Sequence, residues 1–413
     1  MGESSMKIEI SRKMQNVQAS AIREILKMTS NPDVISFAGG NPASDAFPVE
    51  DLKRISAELF EEDPIGLLQY GITEGDAGFL EAANKFFNRE EQVTRAVDQI
   101  IATTGSQQIM DLLTKVLCNE GDVVACEEPA FLGALNSFKE DGAVLRGVGF
   151  TKEGELDLAQ LETALSIHPR PKFFYTIPNF QNPMGTTMSL ETRKQVLALC
   201  KKYGVLILED NPYGAIRFTN EHVPSIKSLD EDDMVIYAAS LSKILAPGLR
   251  LAVCIGREDI VGKMVVAKQG ADVHTNLWAQ KVAARFLSTC DMNAHLSRIQ
   301  AIYKKKCELM LKTMDETFDQ RVTYTRPDGG MFIWVNLPEG SDVLKFAKEA
   351  IENNVAIVPG ISFYTNEEKP CYAIRLNFST PTDEKIVKGI QILGQMTHQL
   401  KKTELTFRLF WPL

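Results

Sequence analysis

The sequence has little of what marks disulfide-bonded secreted proteins and metal sites. Its seven cysteines form no CxxC pair, and several, such as Cys126 and Cys254, lie within apolar runs. This pattern favours buried free thiols in a reducing cytosol and argues against a disulfide framework. The five histidines have no metal-ligand spacing. We therefore expect a cytoplasmic protein without a metal site.

Long apolar runs and an excess of positive charge are also absent. No run reaches the roughly 18 apolar residues of a membrane span, and the N-terminus lacks the apolar segment of a signal peptide. Acidic residues outnumber basic ones by 54 to 45, which gives a formal net charge of −9. Such a balance argues against nucleic acid or an anionic membrane as a partner.

The remaining composition, 44% hydrophobic and 24% charged, is that of a globular protein. Short apolar runs alternate with helical patterns, which predicts an α/β fold with a mostly parallel sheet flanked by helices. From about residue 290 a long helix, short strands and further helices predict a smaller α/β C-terminal domain. We expect an N-terminal arm and loop (1–45), a large domain (46–290), a small domain (291–400) and a tail of unknown role (401–413).

The segment around Lys243 is the strongest candidate for a reactive site. Lys243 follows Ser240 and Ser242, and Arg250 comes seven residues later. A lysine in apolar surroundings loses proton affinity, so its neutral amine can form a Schiff base with an aldehyde. Two hydroxyls with an arginine suit a phosphate. The combination predicts pyridoxal 5′-phosphate (PLP), although the segment alone also fits a solvated surface lysine.

Polar residues follow other strand-like runs in the same way. Asp210 could keep the pyridine nitrogen of PLP protonated, or it could be a turn or N-cap aspartate. Asn182 and Tyr213 could donate to the phenolate oxygen of the cofactor, although Asn182 alone also fits a turn. Because ligands gather at the carboxyl ends of parallel strands, we expect these side chains to share one site.

A helix start and an aromatic residue complete the candidate site. Gly105, Ser106 and Gln107 open a helix directly after a strand-like run, where free N–H groups and the helix dipole favour an anion. Any helix start has this property, so the signal is weak alone. Phe131 could stack on the cofactor ring, although a lone aromatic residue more often belongs to a core.

Together these motifs resemble the fold-type-I, class I/II aminotransferases over about residues 20 to 400, and most resemble the 2-aminoadipate/kynurenine and branched-chain/aromatic branch. Their order and spacing carry the resemblance. The matching residues are Tyr70, Gly71, Glu74, Gly75, Thr104, Gly105, Ser106, Gln107, Gln108, Glu128, Pro129, Asn182, Pro183, Gly185, Asp210, Tyr213, Ser240, Ser242, Lys243, Pro247, Gly248, Arg250 and the Arg375–Phe378 run.

The resemblance implies a seven-stranded PLP-transferase fold and a role for each residue. Lys243 would form the internal aldimine and move a proton between the substrate α-carbon and the cofactor. Asp210 would pair with the pyridine nitrogen, while Asn182 and Tyr213 hold the phenolate oxygen. The residues implied at the phosphate are Ser106, Gln107, Ser240, Ser242, Arg250 and, from the neighbouring subunit of a homodimer, Tyr70. The residues implied at the substrate are Arg375 on the α-carboxylate, with Gly40, Asn182 and Arg23.

Two positions depart from the family pattern or leave a choice open. A tyrosine is common in the family where Phe131 stands, so stacking is kept and a hydroxyl contact is lost. Arg23 resembles a position that meets a distal substrate carboxylate, although it equally fits a solvated helix arginine. The apolar tail 407–413 has no role that the resemblance supplies.

The function that the resemblance implies is ping-pong transfer of an α-amino group from an amino acid to a 2-oxo acid. Donors of the branch would be 2-aminoadipate, glutamate, or aromatic or branched-chain amino acids, with 2-oxoglutarate as an acceptor. A PLP lyase or decarboxylase on the same fold is an alternative, because fold alone does not fix the reaction. A third alternative is the sensing domain of a MocR-type regulator, but the family-like region begins near residue 20, which leaves no room for a DNA-binding domain.

Overall fold

The computed structural model describes residues 8–15, 33–219, 221–366 and 368–400. The predicted contact of Arg23 and the tail 407–413 lie outside these residues. The α-helices are α1 Arg12–Gln15, α2 Val49–Glu62, α3 Pro64–Leu68, α4 Ala77–Phe87, α5 Ser106–Leu117, α6 Leu132–Glu140, α7 Leu158–Ser166, α8 Leu190–Tyr203, α9 Ile226–Leu229, α10 Glu258–Ala271, α11 Leu277–Thr289, α12 Met292–Thr317, α13 Val343–Glu352 and α14 Asp383–His398.

The strands fall into one large sheet and two smaller ones. They are β1 Ile35–Ser36, β2 Asp98–Thr103, β3 Val123–Glu127, β4 Val144–Val148, β5 Phe173–Thr176, β6 Leu206–Asp210, β7 Val235–Ser240, β8 Ala252–Arg257, β9 Thr323–Tyr324, β10 Phe332–Asn336, β11 Val355–Ala356, β12 Val358–Pro359 and β13 Ala373–Asn377. Short 3₁₀ helices cover Ser44–Ala46, Pro247–Leu249 and Gly360–Phe363.

The large sheet has seven strands in the order β2-β8-β7-β6-β5-β3-β4. Its neighbours from β7 to β4 are parallel, and β8 is antiparallel to both β2 and β7. Every residue of β3, β5 and β7 is buried. This burial is expected in a parallel sheet, because helices cover both of its faces. The predicted α/β fold with a mostly parallel seven-stranded sheet is confirmed.

Helix ends follow from local sequence. The α8 helix begins after Ser189, whose side chain accepts the N–H of Thr192, and ends at Gly204 in the left-handed conformation with φ of 67°. These caps fix the residues at which α8 begins and ends. The same logic begins α12 after Asp291, which accepts the N–H of Ala294.

The C-terminal part contains a four-stranded antiparallel sheet in the order β12-β13-β10-β9. Its strand β13 is buried throughout, and α12 packs against α14 beside it. The short strand β1 pairs in parallel with β11, so the loop after β1 is held on this part of the molecule. No helix within the described residues is long and apolar enough to cross a membrane.

Candidate active site

A cavity of about 310 Å³ lies at the carboxyl ends of the large sheet, where it meets the C-terminal sheet. This volume is at the lower end of what small-ligand sites enclose. Twelve of the predicted site residues line it. They are Gly40, Ser106, Gln107, Phe131, Asn182, Asp210, Tyr213, Ser240, Ser242, Lys243, Arg250 and Arg375.

Sheet topology explains why residues so far apart in sequence meet. Asp210 and Ser240 end β6 and β7, Ser106 follows β2, and Phe131 follows β3. Parallel strands present their carboxyl ends on one edge, so the residues that follow them converge. Arg375 comes from β13 of the other sheet and closes the cavity from the opposite side.

Lys243 lies in the turn after β7 and reaches the cavity with its amine. Its Nζ donates to the carbonyl of Gly40 at 2.7 Å. Burial lowers the pKa of Lys243 to about 8, and the positive charges of Arg375 and Arg250 contribute to this shift, while Asp210 opposes it. At pH 7 about a tenth of this amine is therefore unprotonated and nucleophilic, far more than for a lysine with the ordinary pKa of about 10.4.

Asp210 is buried at the end of β6 and has an incomplete set of hydrogen bonds. Its Oδ2 accepts the hydroxyl of Tyr175 at 3.0 Å, whereas Oδ1 has no partner among the described residues. Burial raises the pKa of Asp210 to about 7, although Tyr175 and Lys243 both counter the shift. A buried acceptor without a partner is costly unless a ligand supplies the missing donor.

Asn182 bridges two other residues of the cavity. Its Nδ2 donates to the hydroxyl of Tyr213 at 3.4 Å, and its Oδ1 accepts from Nη1 of Arg375 at 2.9 Å. Burial raises the pKa of Tyr213, so its hydroxyl stays protonated and can donate a hydrogen bond.

Arg375 is buried and held by several contacts. Its Nη2 donates to the carbonyl of Ala38 at 2.6 Å, and Nε has no partner among the described residues. The guanidinium lies 4.3 Å from the ring centroid of Phe332 and 4.8 Å from that of Phe363. Burial lowers the pKa of Arg375 to about 10. A buried guanidinium with a free N–H is suited to bind a carboxylate.

A second cationic region lies at the start of α5. A Cβ added to Gly105 would come within 2.3 Å of Nη2 of Arg250, so the guanidinium of Arg250 packs directly on this helix start. The first N–H groups of a helix have no partner within it. Ser240 and Ser242 lie nearby in the same cavity, and Oγ of Ser240 accepts the N–H of Ser242 at 3.2 Å. This grouping is suited to an anion such as a phosphate.

The side chain of Gln107 turns toward α6. Its Nε2 donates to the carbonyl of Gly133 at 2.6 Å and to Oγ of Ser137 at 2.5 Å. Its amide nitrogen is therefore already engaged, and its contribution to an anion site would come from the backbone N–H. Phe131 begins α6 and presents its ring to the cavity.

Tyr70 is placed apart from the residues above. Its side chain is 81% exposed and lies edge-on to His274, with ring centroids 5.8 Å apart. It does not line the cavity of its own chain within the residues that the structure describes. Those residues also contain no cluster of His, Cys, Asp or Glu that could hold a metal ion.

Several contacts within the site were not predicted from the sequence. Tyr175 hydrogen-bonds Asp210, the Ala38 carbonyl accepts from Arg375, and Phe332 and Phe363 flank Arg375. Tyr175 was recognisable as part of a buried strand, and its hydroxyl was a signal that a buried partner must exist. The phenylalanines have no comparable signal, because they look like any other core residue.

Comparison with known proteins gives concordant matches over nearly the whole chain. The family model described as aminotransferase class I and II matches residues 32–393. The 2-aminoadipate transaminase of Thermus thermophilus is 38% identical over 382 residues, which cover 92% of this chain and 94% of that protein. The aromatic-amino-acid aminotransferase 1 of Thermococcus litoralis is 37% identical over 396 residues, which cover 95% of each.

A solved structure agrees at the level of the fold. The kynurenine aminotransferase of Pyrococcus horikoshii, in complex with PMP, with KYN as substrate and KYA as product, has a TM-score of 0.90 and 37% identity. The match covers 94% of this chain and 97% of that one.

Proposed function

The chain belongs to the class I and II aminotransferases, and we propose that it moves the α-amino group of an amino acid to a 2-oxo acid such as 2-oxoglutarate by a ping-pong mechanism. It is an aminotransferase, and its cofactor is PLP. The observation that carries the finer proposal is the meeting of Lys243, Asp210 and Arg375 in one cavity of about 310 Å³.

The polar and charged groups of the cavity fit those of PLP. The free Oδ1 of buried Asp210 offers an acceptor for a protonated ring nitrogen. The start of α5 with Arg250 offers a cradle for the phosphate, and Asn182 and Tyr213 offer donors for the phenolate oxygen. When bound, PLP supplies an aldehyde that reacts with amines and a ring that withdraws electrons from the reacting carbon.

The residues of the chain then divide the work. Asp210 holds the proton of the ring nitrogen, since an ion pair stabilises its carboxylate against the cost of burial. Lys243, with its pKa lowered to about 8, provides a neutral Nζ that would accept a proton from the substrate α-carbon and deliver it to the cofactor. Its position in the turn after β7 keeps this amine inside the cavity rather than in solvent.

Arg375 binds the α-carboxylate shared by the amino acid and the 2-oxo acid. Its free N–H and its planar guanidinium suit a bidentate carboxylate contact. Phe332 and Phe363 cover the guanidinium, and they exclude water that would compete with the substrate. Gly40 and Asn182 border the same space.

We propose 2-aminoadipate, glutamate, and aromatic or branched-chain amino acids as the range of donors. The wall of the cavity includes the apolar side chains of Leu132, Ile177 and Phe363, which suit an apolar or aromatic substrate side chain. The names of the relatives, a 2-aminoadipate transaminase and an aromatic-amino-acid aminotransferase, support the same range.

A homodimer with shared active sites is part of the proposal. Large apolar side chains are exposed around α2, α3, α11 and the segment after α3. We call this group the Tyr70 patch, and its members are Phe60, Ile65, Leu68, Tyr70, Ile72 and Trp278. Such a patch is typical of a protein interface, and a second copy seated on it would bring Tyr70 to its neighbour's phosphate site. The seven free cysteines support a reducing, cytoplasmic location.

Steady-state kinetics test the reaction type and the donor range. A panel of 2-aminoadipate, aromatic and branched-chain donors, varied against 2-oxoglutarate, should give parallel double-reciprocal lines and a ranking by kcat/KM. Intersecting lines would contradict a ping-pong mechanism. Release of ammonia or pyruvate without an acceptor would indicate a lyase instead. The same panel on Arg23→Ala should show a selective loss for acidic donors if Arg23 reads a distal carboxylate.

A further inference from the structure

Glu127 is a fully buried carboxyl group that the proposed chemistry does not use. It ends β3 and is 0% exposed. Its Oε1 accepts the hydroxyl of Thr176 and the N–H of Ile177, the latter at 3.2 Å, and its Oε2 accepts from Nε2 of Gln181 at 2.9 Å. Desolvation raises the pKa of Glu127 to about 7. The three groups that hydrogen-bond the carboxyl are all donors, and the nearby charge of Asp210 adds to the rise in its pKa.

Gln181 connects Glu127 to the turn that follows β5 through its own hydrogen bonds. It is 1% exposed. Its Nε2 also donates to the carbonyl of Pro129 at 2.8 Å, and its Oε1 accepts the N–H of Met184 at 2.8 Å. The carbonyl of Gln181 accepts the N–H of Gly185 at 2.6 Å. The turn over residues 181–185 is therefore fixed from inside by one carboxyl and one amide.

Asn182 is carried by this turn, directly after Gln181. It accepts from Arg375 at 2.9 Å and donates to Tyr213 at 3.4 Å, so its position sets the orientation of both. We infer that Glu127, acting through Gln181, is a positioning residue that aims Asn182 and thereby orients Arg375 for the substrate carboxylate. This inference rests on the proposed roles of Asn182 and Arg375.

Glu209 provides a matched control for a merely structural role. It is also 0% exposed, and it lies near the equivalent end of β6. It accepts the N–H of Ile226 at 3.0 Å and that of Lys227 at 2.7 Å, and burial raises its pKa to about 7. Its partners start α9, whose residues do not line the cavity. Replacing either carboxyl by an amide exchanges one acceptor oxygen for an NH2 donor, which then faces another donor in a fully buried position.

The test compares Glu127→Gln with Glu209→Gln in the PLP-loaded protein. The readouts are the melting temperature, the dissociation constant of PLP, and the dissociation constant of the unreactive carboxylate 3-phenylpropionate by calorimetry. We expect both variants to melt at a lower temperature. Only Glu127→Gln should weaken 3-phenylpropionate, by about tenfold, which corresponds to the loss of one charge-assisted hydrogen bond. KM for the amino donor should rise by a similar factor, with a smaller change in kcat.

Equal carboxylate binding in Glu127→Gln, Glu209→Gln and the wild type would overturn the inference. If Glu127→Gln does not fold, the milder variants Thr176→Val and Gln181→Leu carry the same test, because each removes part of the network. Asn182→Ala separates the positioning role of Glu127 from the proposed role of Asn182 at the substrate. If it weakens 3-phenylpropionate while the Glu127 network variants do not, only the positioning role fails. If Asn182→Ala also has no effect, the proposed role of Asn182 at the substrate fails.

Discussion

One cavity contains the buried or partly buried ionisable groups of Lys243, Asp210 and Arg375. Desolvation shifts each toward its neutral form, with pKa values of about 8, about 7 and about 10. Lys243 is only partly buried, so its amine remains accessible from the cavity. A negatively charged cofactor and a substrate carboxylate would stabilise the two cations, which makes the cavity suited to anionic ligands.

The lowered pKa of Lys243 predicts how the apoprotein captures PLP. The neutral amine is the reactive form, and its fraction rises as the pH increases through about 8. The rate constant of PLP capture, followed by absorbance after mixing at a series of pH values, should therefore rise and level off with a midpoint near pH 8. A midpoint near the ordinary lysine pKa of about 10.4 would contradict a desolvated Lys243.

Substitution of Arg375 tests the proposed binding site for the substrate carboxylate. Arg375→Ala removes the only buried guanidinium in the described lining of the cavity. We expect kcat/KM to fall by about 100-fold, equal to about 2.7 kcal/mol. Arg375→Lys should restore only part of this loss, because an ammonium cannot make a bidentate contact. Measured kcat/KM for the amino donor and for the 2-oxo acid should fall together, and a loss confined to one of them would argue against a shared carboxylate site.

For single residues, the sequence predicts which side chains carry reactive or charged groups better than it predicts which atoms they contact. Lys243, Asp210, Asn182 and Arg375 were identifiable because their side chains carry groups that a cofactor needs, in an order that resembles a family. The Ala38 carbonyl and the ring of Phe332 were not, because a backbone atom and a core aromatic have no distinctive sequence signal. The orientation of Gln107 toward Gly133 and Ser137 also depends on packing between α5 and α6 that the sequence does not encode locally.

The start of α5 is the element on which the proposed phosphate site depends. Gly105 precedes it with φ of 76° and ψ of 166°, a conformation that favours glycine. Its missing Cβ leaves the space that Arg250 occupies. The element therefore combines a backbone requirement and a packing requirement in a single residue.

Gly105→Ala is expected to damage cofactor binding through Arg250. An added Cβ would lie 2.3 Å from Nη2 and 2.9 Å from Cζ of Arg250. The long side chain would move before the backbone does, and it would leave the helix start. Loss of one charge-assisted contact to the phosphate should weaken PLP by at least about tenfold. Fluorescence titration of the apoprotein with PLP measures the effect.

Gly204→Ala is the control for a methyl group added at a positive φ where no neighbouring side chain is displaced. Gly204 caps α8 with φ of 67°, and a Cβ added there would meet nothing within 4 Å. The substitution should cost about 1–2 kcal/mol of unfolding free energy through left-handed strain and leave the affinity for PLP unchanged. If both glycine variants weaken PLP equally, strain rather than the displacement of Arg250 is responsible.

Elements differ in how far the sequence predicts them. The bounds of α8 were predictable because Ser189 and Gly204 are clear start and stop signals. The apolar run Leu249–Ile255 predicts a buried strand, whereas β8 covers Ala252–Arg257 and runs antiparallel to its neighbours. Apolar periodicity locates a strand but carries no information about its direction, which is set by the tertiary path of the chain.

The Tyr70 patch predicts the state of assembly of the whole molecule. Trp278→Glu places a charge in the patch, next to Phe60, whose ring centroid is 5.4 Å away. Sedimentation should give twice the chain mass of 46.0 kDa for the wild type and a single chain for this variant, with weaker retention of PLP. Leu344→Glu is the control, because Leu344 is 61% exposed and lies outside the patch on α13. A wild-type monomer, or dissociation by both variants, would contradict the proposed interface.

Tyr70→Phe addresses the shared site without breaking the dimer. Removal of the hydroxyl should increase the dissociation constant of PLP while the sedimentation coefficient stays that of the wild type. Unchanged PLP affinity would argue against a contact between Tyr70 and the phosphate of the neighbouring subunit.

The proposed domain boundaries near residues 45, 290 and 400 concern the whole molecule as well. They define which parts would move if the cavity closes on a substrate.

The half-reaction, followed by absorbance, tests whether the protein is a ping-pong aminotransferase that acts through Lys243. The PLP-loaded protein is mixed with an amino donor and no acceptor. The absorbance of the cofactor should change, and one equivalent of the 2-oxo acid should be released per active site. Addition of 2-oxoglutarate should then restore the starting spectrum, and Lys243→Ala should do neither. A wild-type spectrum that stays unchanged with every donor of the panel, or product release that continues without an acceptor, would contradict the assignment of a ping-pong aminotransferase built on Lys243.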